Sequence, residues 1–259
     1  MSRFVKILLI FPVLYLLAMP AYYAMSLYSK PCSGVVVSID DSADYHFVTR
    51  RQLLNIVYAN GTRVIGRKIG DLPVSSIEKR LSALHELKDV EVYTTIDGSL
   101  HVFADQRIPI MRVMPGDGGD YFVDEDGYVF RRRNLYTPRL HIVEGNVTIT
   151  GGMLDSLSVL DTAVKHSVLK DMFPFINYIN DDSFWSAQID QIYVDGNDEI
   201  DLIPRVGNHV VHLGTFENFK GKLRNLQAFY EKVLPEVGWN KYSVINLEFR
   251  DQVVCKKRL

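Results

Sequence analysis

Residues 90–105 read VEVYTTIDGSLHVFAD, two runs rich in valine and aromatic residues, Val90–Ile96 and Ser99–Asp105, joined by Asp97-Gly98. Such residues suit a pleated, half-buried surface, and Asp-Gly is a dipeptide of tight type I′ turns, so the stretch predicts a β-hairpin. Working upstream, Val35, Val36, Val37 and Ile39 form another β-branched run, read as a strand. Thr49 and Gln52 have capping-box spacing ahead of Leu53, Ile56 and Val57. Ser75 and Glu78 repeat that spacing around Ile77, Leu81 and Leu84. Gly61, Gly66 and Gly70 mark the loop between the two helices. The order strand, helix, helix, strand, strand lets both apolar helix stripes cover one face of a three-stranded sheet. This predicts a small α+β module over residues 34–106.

Ahead of this module, Ile7 to Ser29 carry no charge. A helix of that span rises roughly 34 Å, enough to cross a hydrocarbon core of about 30 Å. We therefore predict a transmembrane helix over 7–29 and a cytoplasmic tail over 1–6. Pro12 and Pro20 are compatible with a membrane helix, and Tyr22, Tyr23 and Tyr28 suit its outer interface. Arg3 and Lys6 precede the span, whereas Asp40, Asp41 and Asp44 outweigh Lys30 beyond it, which places the N-terminus in the cytoplasm. A cleaved signal peptide ending near Ala24-Met25-Ser26 is the alternative. The length of the apolar run favours a retained anchor.

Beyond Arg107 the texture changes to a larger, mainly β region with flanking helices, residues 107–259. Tyr121–Val123 and Tyr128–Phe130 flank the acidic turn Asp124-Glu125-Asp126-Gly127 as a second hairpin. Gly151-Gly152 precedes Leu157, Leu160 and Val164, read as a helix that Pro174 ends or kinks. Strands follow near 187–194, 200–204 and 209–213. Thr215 then caps a helix in which Phe219, Leu223, Leu226, Tyr230 and Val233 recur at helical spacing, ended by Pro235 and Gly238. A last strand is predicted over Tyr242, Ser243, Val244, Ile245, Asn246, Leu247, Glu248 and Phe249. Ile245, Leu247 and Phe249 share one face.

The chemistry-bearing residues form no catalytic signature. The formal net charge of −2 argues against nucleic acid as a partner, and the basic runs Arg131–Arg133 and Lys256–Arg258 read as a solvated loop and tail. His209 and His212 are three apart, which on a strand turns them to opposite faces rather than onto one metal. Asp124, Asp126 and Gly127 lack the further ligands of a calcium loop. No metal or cofactor is expected. The two cysteines, Cys32 and Cys255, make no disulfide framework and read as free thiols, with a bridge between them as the alternative.

The order of elements, together with four local patterns, resembles the FtsQ/DivIB family of bacterial cell-division proteins. Val90-Glu91-Val92 is similar to the family's approach to a strand, and Gln106-Arg107-Ile108-Pro109 to its boundary motif. Asp124, Gly127, Val129 and Phe130 are similar to its hairpin motif, and Ile245-Asn246-Leu247 with Gln252–Cys255 to its last strands. The resemblance implies that the first module is a POTRA (polypeptide-transport-associated) domain. It also implies a non-enzymatic divisome scaffold in the cytoplasmic (inner) membrane at the division septum. The bulk of the chain would be extracytoplasmic, bind FtsB/FtsL-like bitopic partners and help recruit or regulate septal peptidoglycan synthesis. The implied means is β-augmentation, in which a partner strand adds to a sheet edge, here expected at Tyr242–Phe249. Gln106, Arg107, Pro109, Asp124, Gly127 and Phe130 are expected to be structural. The rivals are a POTRA-bearing envelope assembly or export factor and a membrane-anchored envelope hydrolase. The hydrolase would need a pocket joining residues such as His141, Asp190 and His212.

Overall fold

Thr49 starts the first described helix of the α+β module by a reciprocal cap. Its hydroxyl accepts from the Gln52 N–H (3.3 Å), and Gln52 Oε1 accepts from the Thr49 N–H (2.8 Å). Two orphan amide groups are thereby satisfied, as the sequence pattern predicts. The computed structural model describes residues 15, 16, 18–20, 22, 25, 26, 28–40, 45–133, 136–155, 157–164, 167–250 and 252–258. The chain divides into two compact units, residues 1–106 and 107–259. Much of the predicted membrane span 7–29, and all of the tail 1–6, lies outside the described residues. Among those that are described, no helix is long and apolar enough to cross a membrane.

The first unit contains β1 (Gly34–Ile39), α1 (Arg50–Val57), α2 (Val74–Leu81), β2 (Leu87–Thr94) and β3 (Ser99–Gln106). The sheet order is β1-β3-β2, with β1 parallel and β2 antiparallel to the central β3. The register aligns Val37 with Val102 and Val102 with Val92, so one face of the sheet is continuous and apolar. Leu53 and Val57 of α1 and Ile77 and Leu81 of α2 are fully buried. Two sequence expectations change here. Pro73 occupies the cap position of α2 and no side chain caps it, so Ser75–Glu78 is not a capping box. Proline fits there because the first helical turn lacks N–H partners in any case. The 97–98 turn is not type I′, because among the described non-glycine residues only Asp198 and Asn218 have positive φ. Gly98 alone takes φ +97°, and the chain closes through Gly98 N–H to Thr95 O (3.0 Å).

The second unit is built on one mixed sheet of nine strands. They are β4 (Pro109–Pro115), β5 (Tyr121–Asp124), β6 (Val129–Arg131), β7 (His141–Gly145), β8 (Ile189–Val194), β9 (Ile200–Pro204), β10 (Val210–Gly214), β11 (Tyr242–Asn246) and β12 (Val254–Lys257). The order is β12-β11-β10-β9-β8-β7-β4-β5-β6. The neighbours β4/β7, β7/β8 and β10/β11 are parallel, the rest antiparallel. The helices are α3 (Gly151–Asp155), α4 (Val168–Asp181), α5 (Ser183–Gln188), α6 (Phe219–Lys232) and α7 (Leu234–Val237). Their apolar residues, among them Met172, Ile176, Leu223 and Leu226, join Val113, Val143, Ile192, Leu202, Val211 and Ile245 of the strands in one core.

Several expectations fail in this unit. Leu157, Leu160 and Val164 are not helical. Val159 N–H instead bonds Gly127 O (2.8 Å), and Tyr128 bridges Ser158, so the segment is tied to the turn that precedes β6. Pro174 does not end a helix but lies inside α4, where it removes one ladder bond at a cost of about 3 kcal/mol. Leu169, Met172, Phe173, Phe175, Ile176 and Ile179 are all buried along α4 and offset that loss. The helix expected from Thr215 begins at Phe219, after Asn218 in a left-handed conformation (φ 49°). Glycine is required at 145, where φ is +103° and a Cβ would lie 2.1 Å from Val194 O. Gly145→Ala should lower stability by at least about 1–3 kcal/mol. The measurement is the midpoint of urea unfolding at unchanged slope; an unshifted midpoint would contradict this account of the β7–β8 junction.

Candidate functional site

The boundary residues predicted as structural occupy two tight hydrogen-bonded corners. In the first unit Gln106 ends β3 and is fully buried. Its Oε1 accepts from the N–H groups of Phe47 and Val48 (both 3.0 Å), and its Nε2 donates to Tyr45 O (3.0 Å) and Asp40 O (3.4 Å). A buried amide with both ends satisfied pins the segment before α1 to the end of the sheet. In the second unit Arg107 Nη1 lies 2.6 Å from Asp124 Oδ2, and its guanidinium stacks 4.6 Å from the Tyr128 ring centroid. The other carboxylate oxygen accepts from the N–H groups of Asp126 (3.0 Å) and Tyr128 (2.7 Å). Burial pushes the Asp124 pKa upward, while Arg107 and the Tyr128 N–H oppose the rise.

The rest of the hairpin motif closes around this pair. Gly127 (φ +81°) faces Ser158, whose Oγ would lie 2.5 Å from an added Cβ. Phe130 is buried and lies 5.5 Å from Phe122. Pro109 begins β4 opposite Asp124. These residues are scaffolding for the β4–β5–β6 end of the sheet.

The other end carries the predicted partner strand. Ile245 and Leu247 are buried in the core, but Phe249, expected on the same face, is exposed because it lies beyond the end of the strand. The edge assignment changes, however. The strand ends at Asn246, and β11 is paired on both sides, with β10 in parallel and with β12 in antiparallel register. Its main chain is therefore used up, and Leu247, Glu248 and Phe249 belong to a connector rather than to a strand. At this end of the sheet the open edge is the outer side of β12, which has no strand neighbour among the described residues. Lys256 and Lys257, read from sequence as a tail, lie within that strand.

The direction of each β12 main-chain group follows from its neighbours. Arg258 N–H bonds Lys241 O (3.0 Å), and Lys256 O accepts from Ser243 Oγ (3.2 Å), so residues 256 and 258 face β11. The register irregularity falls on the β11 side, between Tyr242 and Val244. Alternation along β12 then turns the N–H and C=O of Cys255 and Lys257 outward. Val254, Lys256 and Lys257 are exposed, while Cys255 packs on the core. Cys255 and Cys32 are both free.

The histidines separate into two kinds. His209 is buried against Tyr230, with Nε2 2.8 Å from the phenol oxygen. Burial pushes its pKa below 6.5, aided by the Arg258 charge and opposed by the main chain of Trp239. His141 is likewise lowered by burial, against the Ile189 main chain and Asp190. His212 points to the opposite sheet face, where Asp201 Oδ1 lies 2.7 Å from Nδ1 and Glu248 Oε2 lies 3.3 Å from Nε2. The three residues a hydrolase reading would join do not converge. His141 lines a cleft of about 320 Å³ with Arg139, Asn180 and Arg205, and His212 is not among its walls. Among the described residues no group of His, Cys, Asp and Glu is arranged to hold a metal ion.

A small α+β unit followed by an open mixed sheet with an unpaired terminal strand defines a two-unit α+β protein that presents a sheet edge. Comparison with family models assigns the parts. Residues 30–104 match the POTRA-like domain, and residues 108–256 match the FtsQ/DivIB C-terminal related domain. No curated protein matches the chain. The chain belongs to the FtsQ/DivIB C-terminal related family.

Two measurements test this anatomy. Arg107→Ala should cost about 3–5 kcal/mol, because it leaves a buried carboxylate unpaired. Adding Asp124→Asn should recover part of that loss in denaturant unfolding; a second substitution that only deepens the loss would contradict the ion-pair account. The buried histidines set a pH trend. With folded pKa values below 6.5, His141 and His209 stay neutral where the unfolded chain takes up protons. Their stabilising contribution is complete above 6.5 and is lost as pH falls below it. Chemical denaturation at stepped pH should show that decline, and His209→Gln should flatten it. An equal slope in the variant would count against His209.

Proposed function

We propose that this protein is a non-enzymatic scaffold of the bacterial division machinery. In this reading the 7–29 helix anchors it in the cytoplasmic membrane, with tail 1–6 in the cytoplasm. Both globular units stand on the outer side at the septum. The outer edge of β12 receives an extended strand from an FtsB/FtsL-like bitopic partner, and through that contact the protein recruits or regulates septal peptidoglycan synthesis. The observation that carries the reading is the unpaired outer edge of β12, at the end of a nine-stranded sheet.

The physical chemistry of that edge supports strand addition. Cys255 and Lys257 turn main-chain donors and acceptors away from β11, and an incoming strand would satisfy them. Lys256 and Lys257 discourage random edge pairing, since desolvating two ammonium groups beside an unmatched strand is costly. A partner strand with carboxylates at the facing positions converts that penalty into attraction. Val254 offers an apolar contact, being 45% exposed on the strand. The partner suited to this edge is therefore an extended, acidic segment with an apolar residue opposite Val254.

The test compares two proline variants in the full-length chain, solubilised in detergent, with the extracytoplasmic segments of FtsB- and FtsL-like proteins from the same organism. Lys257→Pro removes an outward N–H and leaves the β11 ladder intact, as proline is tolerated where an edge N–H faces solvent. It should weaken binding about tenfold, the equivalent of roughly 1.4 kcal/mol. Lys256→Pro instead strikes a position that faces β11 and should disorder the terminal hairpin itself. Absence of binding by the parent chain, or an unaltered Kd for Lys257→Pro, would contradict the reading.

A further inference from the structure

The terminal hairpin β11–β12 is held to the rest of the sheet through a short register. Three residue pairs join β10 to β11, Val210–Val244, Val211–Ile245 and His212–Asn246, and Leu247 N–H then bonds His212 O (2.9 Å). Past that point the chain leaves the sheet as the connector that leads into β12. Glu248 in this connector is carefully placed. Its N–H bonds Asn246 Oδ1 (2.8 Å), Asn246 Nδ2 donates to its Oε2 (3.2 Å), and its Cγ lies 2.7 Å from where a Cβ on Gly214 would be. The glycine thus leaves room for the Glu248 side chain to fold back over the end of β10.

The carboxylate is thereby brought to the His212 ring. Asp201 on β9 lies 2.7 Å from Nδ1, Glu248 lies 3.3 Å from Nε2, and Glu199 at the turn before β9 lies 3.8 Å from Nε2. From α6, Lys222 donates to the main-chain oxygens of Leu213 and Thr215 (both 2.8 Å), and its charge attracts Glu248 and Glu217. The ring is partly covered, at 21% exposure, on the sheet face opposite the helices.

We propose that His212 is a proton-operated clamp that fixes the β11–β12 hairpin, and with it the docking edge, to the body of the sheet. Protonated, the ring donates from both nitrogens, to Asp201 on one side and to Glu248 on the other, and ties β9, β10 and the connector together. Neutral, it keeps one N–H. With that proton on Nδ1 toward Asp201, the Nε2 lone pair faces two carboxylates, and Glu248 is released toward Lys222 and solvent. Burial of the ring disfavours the proton, but Asp201, Glu248 and Glu199 outweigh it and leave the pKa above its ordinary 6.5. The clamp is therefore fully closed below 6.5 and opens as pH rises through the higher folded value. This is opposite in sign to His141 and His209, so a global unfolding curve mixes the two effects and a local measurement is needed.

The inference rests on β12 being the docking edge, but its test uses the chain alone, so failure of the clamp and failure of the docking reading are separate results. The full-length protein, labelled at histidine and at backbone amides, is titrated by NMR in detergent, and exchange protection at Val254 and Lys256, whose N–H groups face β11, is corrected for intrinsic rates at each pH. The expected result is a His212 pKa above 6.5 that falls in Glu248→Gln. Protection of the hairpin should drop across the same interval in the parent chain, and stay flat in Glu248→Gln and His212→Gln. A His212 pKa at or below 6.5, or hairpin protection that does not change through the titration, overturns the clamp.

Discussion

Main-chain hydrogen bonding is the constraint on which the second unit depends. A strand in a sheet has two sides of donors and acceptors, and buried ones must all be paired. In the order β12-β11-β10-β9-β8-β7-β4-β5-β6, each of the seven inner strands is flanked on both sides, which leaves the two outermost strands with one open side each. β6 spans only Val129–Arg131, and the turn that leads into it is bonded by the 157–164 segment through Val159 N–H to Gly127 O. β12, at the other end, has no strand neighbour on its outer side among the described residues. The proposed docking strand is thus one whose outer donors and acceptors remain open.

The first unit was largely legible because its signals are local. The Thr49–Gln52 cap, the apolar stripes of α1 and α2 and the 90–105 hairpin all depend on residues within a few positions of one another. The second unit was legible only in part, because its organisation is set by long-range pairing. β4, which carries prolines at both ends, Pro109 and Pro115, lies between β5 and β7. Proline is harmless at the ends of a strand where the ladder begins or stops. Of the two readings of Pro174, ending or kinking a helix, the structure rules out the first, because burial along α4 offsets the missing bond.

The same distinction governs the candidate site. Alternation correctly placed Ile245 and Leu247 in the core. It did not reveal that β11 would be covered by β12, because Val254-Cys255-Lys256-Lys257 is short, basic and close to the end of the chain. The signal that could have found it is the β-branched pair Val253-Val254 just before the lysines, spaced to fold back on Tyr242–Asn246. His212 was read as an ordinary sheet histidine. Its partners come from β9 and from the connector, separated in sequence by roughly ten to forty residues, and only the cross-strand register brings them to one ring.

Electrostatics and backbone pairing meet at the end of the sheet, where one imidazole neighbours the chain that leads into the free edge. The account stands or falls on whether that edge is where a partner binds. The most direct measurement is residue-resolved amide exchange of the full-length chain with and without the extracytoplasmic segment of an FtsB-like partner. The account predicts new protection at Cys255 and Lys257, whose N–H groups face outward, with little change at Val254 and Lys256, already turned toward β11. Binding that protects amides elsewhere and leaves Cys255 and Lys257 exchanging as before would contradict it.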